Sequence, residues 1–147
     1  MALHFQPLTV ARIVPDTAGS AAISLAVPPP LREQFDFRPG QFLTLRTRIE
    51  GEEVRRSYSI CSTPAHLHAR GELEVGIKQV EGGTFSNWAL TELREGDTID
   101  VLPPEGRFTP TIPGARHRAG FAAGSGITPL LSIIGATLEN EPHSRFT

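Results

Sequence analysis

Hydrophobic and polar residues alternate with a period of two in several short segments of the first two thirds of the chain. The clearest segment runs from Leu43 to Ile49, where apolar residues alternate with threonine and arginine. Similar alternation is found around Ile23–Val27, Leu73–Ile77 and Ile99–Val101. This pattern predicts an antiparallel sheet with one buried face.

Turn signals are frequent between these segments, as expected for a chain with 14 glycines and 13 prolines. Glu50-Gly51 and Arg70-Gly71 are predicted to be hairpin connections. Several short strands with many turns are typical of a closed barrel or a sandwich. A barrel is favoured because closure removes exposed strand edges.

One helix is expected within this β region. Phe85, Trp88, Ala89 and Leu93 fall at helical spacing after a pair of glycines, and Gly96 marks the predicted end. The earlier segment 63–71, which contains two histidines, is interpreted as a solvated loop. It offers no third ligand, so no metal site is predicted.

The pattern changes after Pro110. Residues 111–118 are rich in proline, glycine and charge and are interpreted as a linker. An apolar strand is expected at Ala119–Ala123, followed by a helix from Pro129 to Leu138 with Thr128 as its N-cap. Arg145 to Thr147 reads as the beginning of a second strand, and a strand–helix–strand order is typical of a parallel α/β sheet.

These elements predict a β domain over residues 1–110, a linker over 111–118 and the incomplete start of an α/β domain over 119–147. The net charge of −2 gives no electrostatic reason to expect nucleic acid. No segment approaches the roughly 20 apolar residues of a membrane span, and the cytoplasm is the expected compartment. Cys61 is the single cysteine, which excludes a disulfide or a cysteine-ligated iron–sulfur cluster within this chain.

The most informative tetrapeptide is Arg56-Ser57-Tyr58-Ser59. In a strand, Arg56 and Tyr58 project from one face about 7 Å apart. Arginine can bind a phosphate with two hydrogen bonds while tyrosine stacks on a flat ring. A cofactor with a phosphate and an aromatic ring would use both; the alternative is an exposed strand with one packed tyrosine.

A second candidate binding segment is Gly82-Gly83-Thr84-Phe85-Ser86. Glycines before a helix allow close approach of a ligand, and the free N–H groups of the first turn favour an anion. The alternative is a plain helix start, with Phe85 and Trp88 in the core.

Together these segments resemble the R-x-Y-S and G-x-x-S flavin signatures of the ferredoxin–NADP reductase superfamily. Pro39-Gly40-Gln41-Phe42 is similar to the entry of that family into the strand before the first signature. Gly106-Arg107-Phe108 resembles its segment after the last barrel strand, and Gly124 to Pro129 resembles its nicotinamide-side loop. The motifs occur in the family order and cover nearly the whole chain.

The resemblance implies a mainly β protein, an antiparallel Greek-key barrel that binds FAD, followed by an incomplete NAD(P)-binding α/β domain. It assigns FAD binding to residues of both signatures and of the strand between them: Arg56, Ser57, Tyr58, Ser59, Ile77, Lys78, Val80, Gly82, Gly83, Thr84, Phe85 and Ser86. Tyr58 would stack on the flavin ring, and Ser59 would lie near the N5 atom that receives the hydride. These two residues are the candidate catalytic residues.

The resemblance also assigns Gly124, Gly126 and Thr128 to binding of NAD(P)H, the expected hydride donor. Electrons would pass from FAD to an oxygenase or another acceptor protein, in the degradation of phenylacetate or other aromatic compounds. A two-iron, two-sulfur cluster is expected only if a further C-terminal domain exists. Nucleic acid and membranes are not expected partners.

Three alternatives to this function remain open. The parent protein could be a stand-alone NAD(P)H:flavin reductase, the chain could be a flavin-binding module without catalysis, or the barrel could serve only protein interactions. The sequence also leaves open FAD against FMN and NADH against NADPH.

Overall fold

The alternating segments form a six-stranded antiparallel sheet in a computed structural model that describes residues 3–147. The sheet order is β4-β3-β6-β1-β2-β5, so β6 returns to lie between β3 and β1 in a Greek-key arrangement. The strands are β1 (Gln6–Thr17), β2 (Ser20–Ala26), β3 (Phe42–Ile49), β4 (Glu52–Ser59), β5 (Glu72–Lys78) and β6 (Thr98–Val101). The predicted barrel and the Glu50-Gly51 hairpin between β3 and β4 are confirmed.

The sheet closes on itself where β4 ends. Ile60 forms an antiparallel bridge with Val75 of β5, and the Cys61 amide donates to the Glu74 carbonyl at 2.9 Å. Beyond this bridge the two strands separate, and helix α2 (Thr84–Thr91) contacts β3, β4 and β5 beside the gap. We call the junction of β4 and β5, with α2 beside it, the barrel seam. Helix α2 is the predicted helix, and it ends earlier than the expected Gly96.

The core is built from the inward-facing residues of the alternating strands. Leu25, Leu43, Leu73 and Val75 are completely buried, together with Phe35 from the β2–β3 connection. Burial of one such side chain contributes about 1.5–3 kcal/mol. The period-two pattern in the sequence therefore reflects the face that packs inside the barrel.

The expectation of a single helix and of a loop at 63–71 is wrong. Helix α1 spans Pro64–Arg70, and the Thr63 side chain caps it by accepting a hydrogen bond from the His66 amide at 3.3 Å. Leu67 buries its side chain under the helix. Gly71 ends the helix in the left-handed conformation (φ 70°), so Arg70-Gly71 is a helix cap rather than a hairpin turn. Short 3₁₀ helices also form at Pro29–Leu31 and at Gly124–Gly126.

The C-terminal region forms a strand–helix–strand unit with a parallel sheet pair. Strands β7 (His117–Arg118) and β8 (Arg145–Phe146) pair in parallel. Helix α3 (Ile127–Asn140) connects them in the sequence. The expected second strand is confirmed, but the first lies within the expected linker rather than at Ala119–Ala123. The expected N-cap is also wrong, because α3 begins at Ile127 and the Thr128 hydroxyl donates to the Ser125 carbonyl at 2.8 Å.

The segment before β7 is held by one carboxylate. Glu141 accepts hydrogen bonds from the Ser144 hydroxyl, the Arg118 guanidinium and the Gly114 amide at 2.8, 3.1 and 3.0 Å. The Ser144 and Arg118 bonds lower the pKa of Glu141. A solvated linker would leave Arg118 in water, yet its side chain is only 16 % exposed. Ionised Glu141 therefore ties the linker to the end of α3.

Candidate functional site

The two signature segments lie side by side in the structure. The Tyr58 ring of β4 packs on the Phe85 ring of α2, with ring centroids 5.7 Å apart and planes tilted by 39°. Phe85 is 1 % exposed and also contacts Trp88 edge-on at 5.6 Å. Phe85 thus anchors the start of α2 in the core and brings the G-x-x-S segment to the R-x-Y-S strand.

Arg56 and Tyr58 share one face of β4, as the sequence predicted. Arg56 is exposed, and its guanidinium donates to the Arg55 carbonyl at 2.6 Å. Within residues 3–147 it forms no salt bridge, whereas its neighbour Arg55 pairs with Glu53 at 2.6 Å. Ser57 points to the opposite face, where its hydroxyl lies 3.0 Å from that of Thr44.

The start of α2 is open to an anion. Gly83 is the N-cap, no side chain caps the helix, and Thr84, its first residue, is exposed. A Cβ built on Gly82, which has φ 70°, would meet nothing within 4 Å. A cofactor that joins a pyrophosphate to a flat ring requires a cation, free amides and an aromatic surface. A guanidinium without a carboxylate partner, an uncapped helix N-terminus and a half-buried aromatic ring provide these groups. The described residues therefore fit FAD.

Ser86 and Val80 shape the loop that leads into α2. The Val80 amide donates to the Ser86 hydroxyl at 3.1 Å, and the Val80 carbonyl accepts from the Gly83 amide at 2.9 Å. Ser86 can still donate its own hydroxyl proton. A Cβ on Gly83 would come within 2.9 Å of the Ser86 oxygen, so this turn requires glycine.

The remaining predicted flavin residues lie at the end of β5. The Ile77 side chain is buried in the core, and Lys78 is exposed. Their backbones pair with Ala21 and Ser20 of β2. One edge of β5 is therefore occupied by β2. The opposite edge, which faces the barrel seam, is the one whose backbone groups are available to a ligand.

The loop from Gly124 to Pro129, called the glycine loop below, lies at the same end of the barrel as the two signature segments. The Ile60–Val75 bridge places Ser59 opposite Gly76 in register. A Cβ on Gly76 would lie 3.0 Å from the Thr128 methyl group, so Thr128 rests on Gly76 of β5. Gly124 and Gly126 have open space around their α carbons. All three predicted motifs converge on one region.

Sequence reasoning missed Gly76 as part of this region. The available signal was a glycine inside the otherwise regular strand Glu72–Lys78. A glycine within a strand frequently marks close approach of another backbone or side chain.

The two histidines of α1 do not form a metal site. His66 lies 4.0 Å from a Glu74 oxygen, and His68 lies 3.4 Å from Asp36. Across residues 3–147 no three potential ligands come close enough together to hold an ion. The same part of the chain contains no helix long and apolar enough to cross a membrane.

Cys61 lies two residues after β4, which carries the R-x-Y-S signature and is called the flavin strand below. The Cys61 side chain is largely shielded from solvent. Its thiol donates to the Glu74 carbonyl at 3.4 Å. Burial, assisted by the negative charge of Glu74, raises the pKa of Cys61 to about 11. The thiol is therefore protonated and unreactive at neutral pH.

This pKa predicts a specific loss of stability in alkali. Because the folded pKa exceeds the ordinary value of 9.0, the folded state holds the proton more tightly than the unfolded state does. The resulting stabilisation is full below the unfolded pKa and is lost as the pH rises to about 11. Urea unfolding at about pH 8 and about pH 10.5 should show a smaller alkaline loss in Cys61→Ala than in the wild type. Equal losses in the two proteins would contradict this assignment.

The fold and site together define a flavin-binding oxidoreductase domain. The sequence matches the family described as "Oxidoreductase FAD-binding domain" over residues 11–109, and the chain belongs to this family. The predicted family and its FAD cofactor are thereby confirmed.

Individual relatives include components of an epoxidase and of a monooxygenase. One of the subunits of 1,2-phenylacetyl-CoA epoxidase from Escherichia coli is 46 % identical over 145 residues, which cover 97 % of this chain and 40 % of that protein. The ferredoxin reductase component of 3-ketosteroid-9-alpha-monooxygenase from Rhodococcus rhodochrous is 42 % identical, covering 89 % and 36 %. The residues around the motifs (RRSYSIC, VEGGTFS and AAGSGITPLL) predict a match to the reductase component of phenylacetyl-CoA oxygenase, and this prediction is confirmed.

Solved structures show the same architecture. The Amycolatopsis cytochrome P450 reductase GcoB superposes with a TM-score of 0.77 at 25 % identity, covering 99 % of this chain and 43 % of that one. Phthalate dioxygenase reductase gives a TM-score of 0.72 at 26 % identity, covering 97 % and 42 %. The chain spans less than half the length of each of these relatives.

Proposed function

We propose that this chain is the flavin-binding part of an NAD(P)H-dependent reductase that supplies electrons to an oxygenase. The main supporting observation is that the R-x-Y-S strand, the G-x-x-S helix and the glycine loop meet at one end of the barrel. The relatives, one a component of an epoxidase and the other the reductase component of a monooxygenase, support an oxygenase as acceptor. Phenylacetate degradation is the proposed setting, and the cytoplasm the proposed compartment.

Binding of the cofactor phosphates is assigned to Arg56 and the start of α2. Arg56 offers a guanidinium with no carboxylate partner in the described chain. Thr84 and Ser86 offer amides and a hydroxyl at an uncapped helix N-terminus. The Gly83 amide donates to the Val80 carbonyl, and the missing side chain of Gly83 leaves this end of the helix open to a ligand. Both features favour negative charge, and they flank the barrel seam from its two sides.

Orientation of the flavin ring is assigned to Tyr58 and Ser59. Tyr58 is held by Phe85, which fixes the plane of its ring. Burial raises the pKa of Tyr58, against the opposing charge of Arg56, so its hydroxyl stays protonated near neutral pH. FAD, when bound, supplies the chemistry of accepting a hydride and releasing single electrons. Ser59, the last residue of β4, supplies the hydroxyl that is assigned to the N5 side of the flavin ring.

Binding of the nicotinamide nucleotide is assigned to Gly124, Gly126 and Thr128. The two glycines leave backbone exposed for a ligand, and Thr128 is held against Gly76. This contact would bring the hydride donor to the face of the barrel that carries Ser59.

An absorbance spectrum tests the proposal. The purified chain is incubated with FAD, desalted, and measured before and after anaerobic addition of NADH or NADPH. Retained flavin bands that bleach with either nucleotide are the expected result for a working reductase fragment. The nucleotide that bleaches faster identifies the preferred donor.

Two other outcomes separate the alternatives. Retained flavin without bleaching would limit the chain to a flavin-binding module and assign hydride delivery to segments outside it. A protein that retains no flavin would contradict the proposal and favour an interaction barrel. Release of reduced flavin to solution during turnover would favour a stand-alone flavin reductase.

A further inference from the structure

Helix α3 contacts the barrel through one stripe of its surface. Thr128, Ser132, Gly135 and Glu139 are spaced three or four residues apart and share this face. Thr128 rests on Gly76 of β5, as described above. The other three contact two consecutive residues, Ser62 and Thr63, that follow the flavin strand.

The contact is tight and includes a buried hydrogen bond. The Ser132 hydroxyl donates to the Ser62 carbonyl at 2.6 Å, and these residues are 0 % and 6 % exposed. A Cβ on Gly135 would lie only 2.7 Å from the Thr63 methyl group. The Thr63 hydroxyl also donates to Glu139 at 3.2 Å. The helix is therefore packed directly on the backbone at this position.

The same two residues belong to the closure of the barrel. The Ser62 hydroxyl accepts from the Glu74 amide at 3.0 Å, next to the bond between the Cys61 amide and the Glu74 carbonyl. Ser59 lies three residues before Ser62 in the chain. A displacement of α3 must therefore also displace the end of the flavin strand.

We infer that Ser132 and Gly135 are positioning residues that hold the glycine loop in register with the flavin strand. Neither residue contacts the candidate ligand site; both act through Ser62 and Thr63. The inference rests on the proposed function, which gives the loop and the strand their roles. Fixed register has a large effect on hydride transfer, because a misplacement of about 1 Å can cost roughly a hundredfold in rate.

The test uses hydrogen–deuterium exchange of the full 147-residue chain, followed by mass spectrometry. Gly135→Ala introduces a methyl group against the Thr63 methyl group. The expected result is about tenfold faster exchange over residues 124–131, with β1 and β2 unchanged.

A second substitution should reverse this effect. Thr63→Ser removes the opposing methyl group but keeps the hydroxyl that caps α1 and bonds Glu139. Combined with Gly135→Ala it should restore slow exchange over 124–131, and alone it should be nearly silent. A general loss of stability would not be reversed in this segment-specific way.

Ser132→Ala provides an independent variant that adds no bulk. It removes the donor to the Ser62 carbonyl and should also speed exchange over 124–131, by about fivefold. If Gly135→Ala does not fold, this variant alone decides the question. Unchanged exchange over 124–131, or an equal increase throughout the barrel, would overturn the inference.

Added FAD separates this inference from the proposed function. In the wild type, FAD should slow exchange over both 56–62 and 124–131; in Gly135→Ala it should protect only 56–62. If FAD protects neither segment in the wild type, the flavin assignment fails. The comparison of the ligand-free variants still tests the α3 contact in that case.

Discussion

Replacing Arg56 by alanine should weaken FAD binding about 30-fold and leave riboflavin binding within about twofold. The guanidinium is exposed on the strand whose Tyr58 packs against α2, and no carboxylate in residues 3–147 forms a salt bridge with it. It can therefore interact fully with a pyrophosphate, which riboflavin lacks. The predicted quantity is the loss of FAD affinity divided by the loss of riboflavin affinity. A general disturbance of the barrel would weaken both ligands and cancels in this ratio.

Arg55→Ala is the matched control for this experiment. Arg55 is also an exposed arginine of β4, but it faces the other side of the strand and pairs with Glu53. Its removal should change neither affinity by more than about twofold. Dissociation constants come from fluorescence titration with FAD, FMN and riboflavin. Equal losses for FAD and riboflavin in Arg56→Ala would contradict a phosphate contact, and the FMN value shows whether one phosphate is sufficient.

Replacing Tyr58 by alanine should weaken FAD and riboflavin alike, by about tenfold or more, and should brighten the flavin that remains bound. Tyr58 is the single tyrosine of the chain, and its ring is fixed by Phe85. Stacking on an aromatic ring quenches flavin emission, so removal of the ring removes the quenching. An equal loss for both ligands would distinguish this residue from Arg56.

Tyr58→Phe separates the ring from its hydroxyl. The phenyl ring can pack on Phe85 in the same way, so affinity and quenching should stay close to those of the wild type. Fluorescence of the FAD-saturated proteins, with thermal unfolding as a check on folding, makes the comparison. Unchanged emission and affinity in Tyr58→Ala would remove the stacking role.

The strands that could be predicted are those in which apolar residues alternate with polar or small residues along the sequence. β2, β3, β5 and β6 show this alternation, and the structure confirms them. β1 was not predicted as a strand because its register with β2 shifts between Val10 and Arg12 and again between Pro15 and Thr17. A bulge changes which face each following residue occupies and so breaks the period.

Helix α1 and the contact of α3 were missed for different reasons. The start of α1 had a readable signal, a threonine N-cap before Pro64, but Leu67 is its single buried residue and no apolar stripe forms. Ser132 and Gly135 gave no local signal, because their partners lie about 70 residues earlier in the chain. The motif residues could be found because each signature is contiguous in sequence.

The barrel seam links the stability of the protein, and hence its rate of degradation in the cell, to cofactor binding. Within residues 3–147, one bridge, between Ile60 and Val75, and adjacent backbone bonds join β4 to β5, with α2 beside them. A ligand bound between Arg56 and α2 would connect the two sides, and at a hundred times its dissociation constant it would add about 2.7 kcal/mol to stability. Chains made when riboflavin is scarce would open more often at this junction and be degraded sooner. The abundance of the chain would then follow the supply of the vitamin.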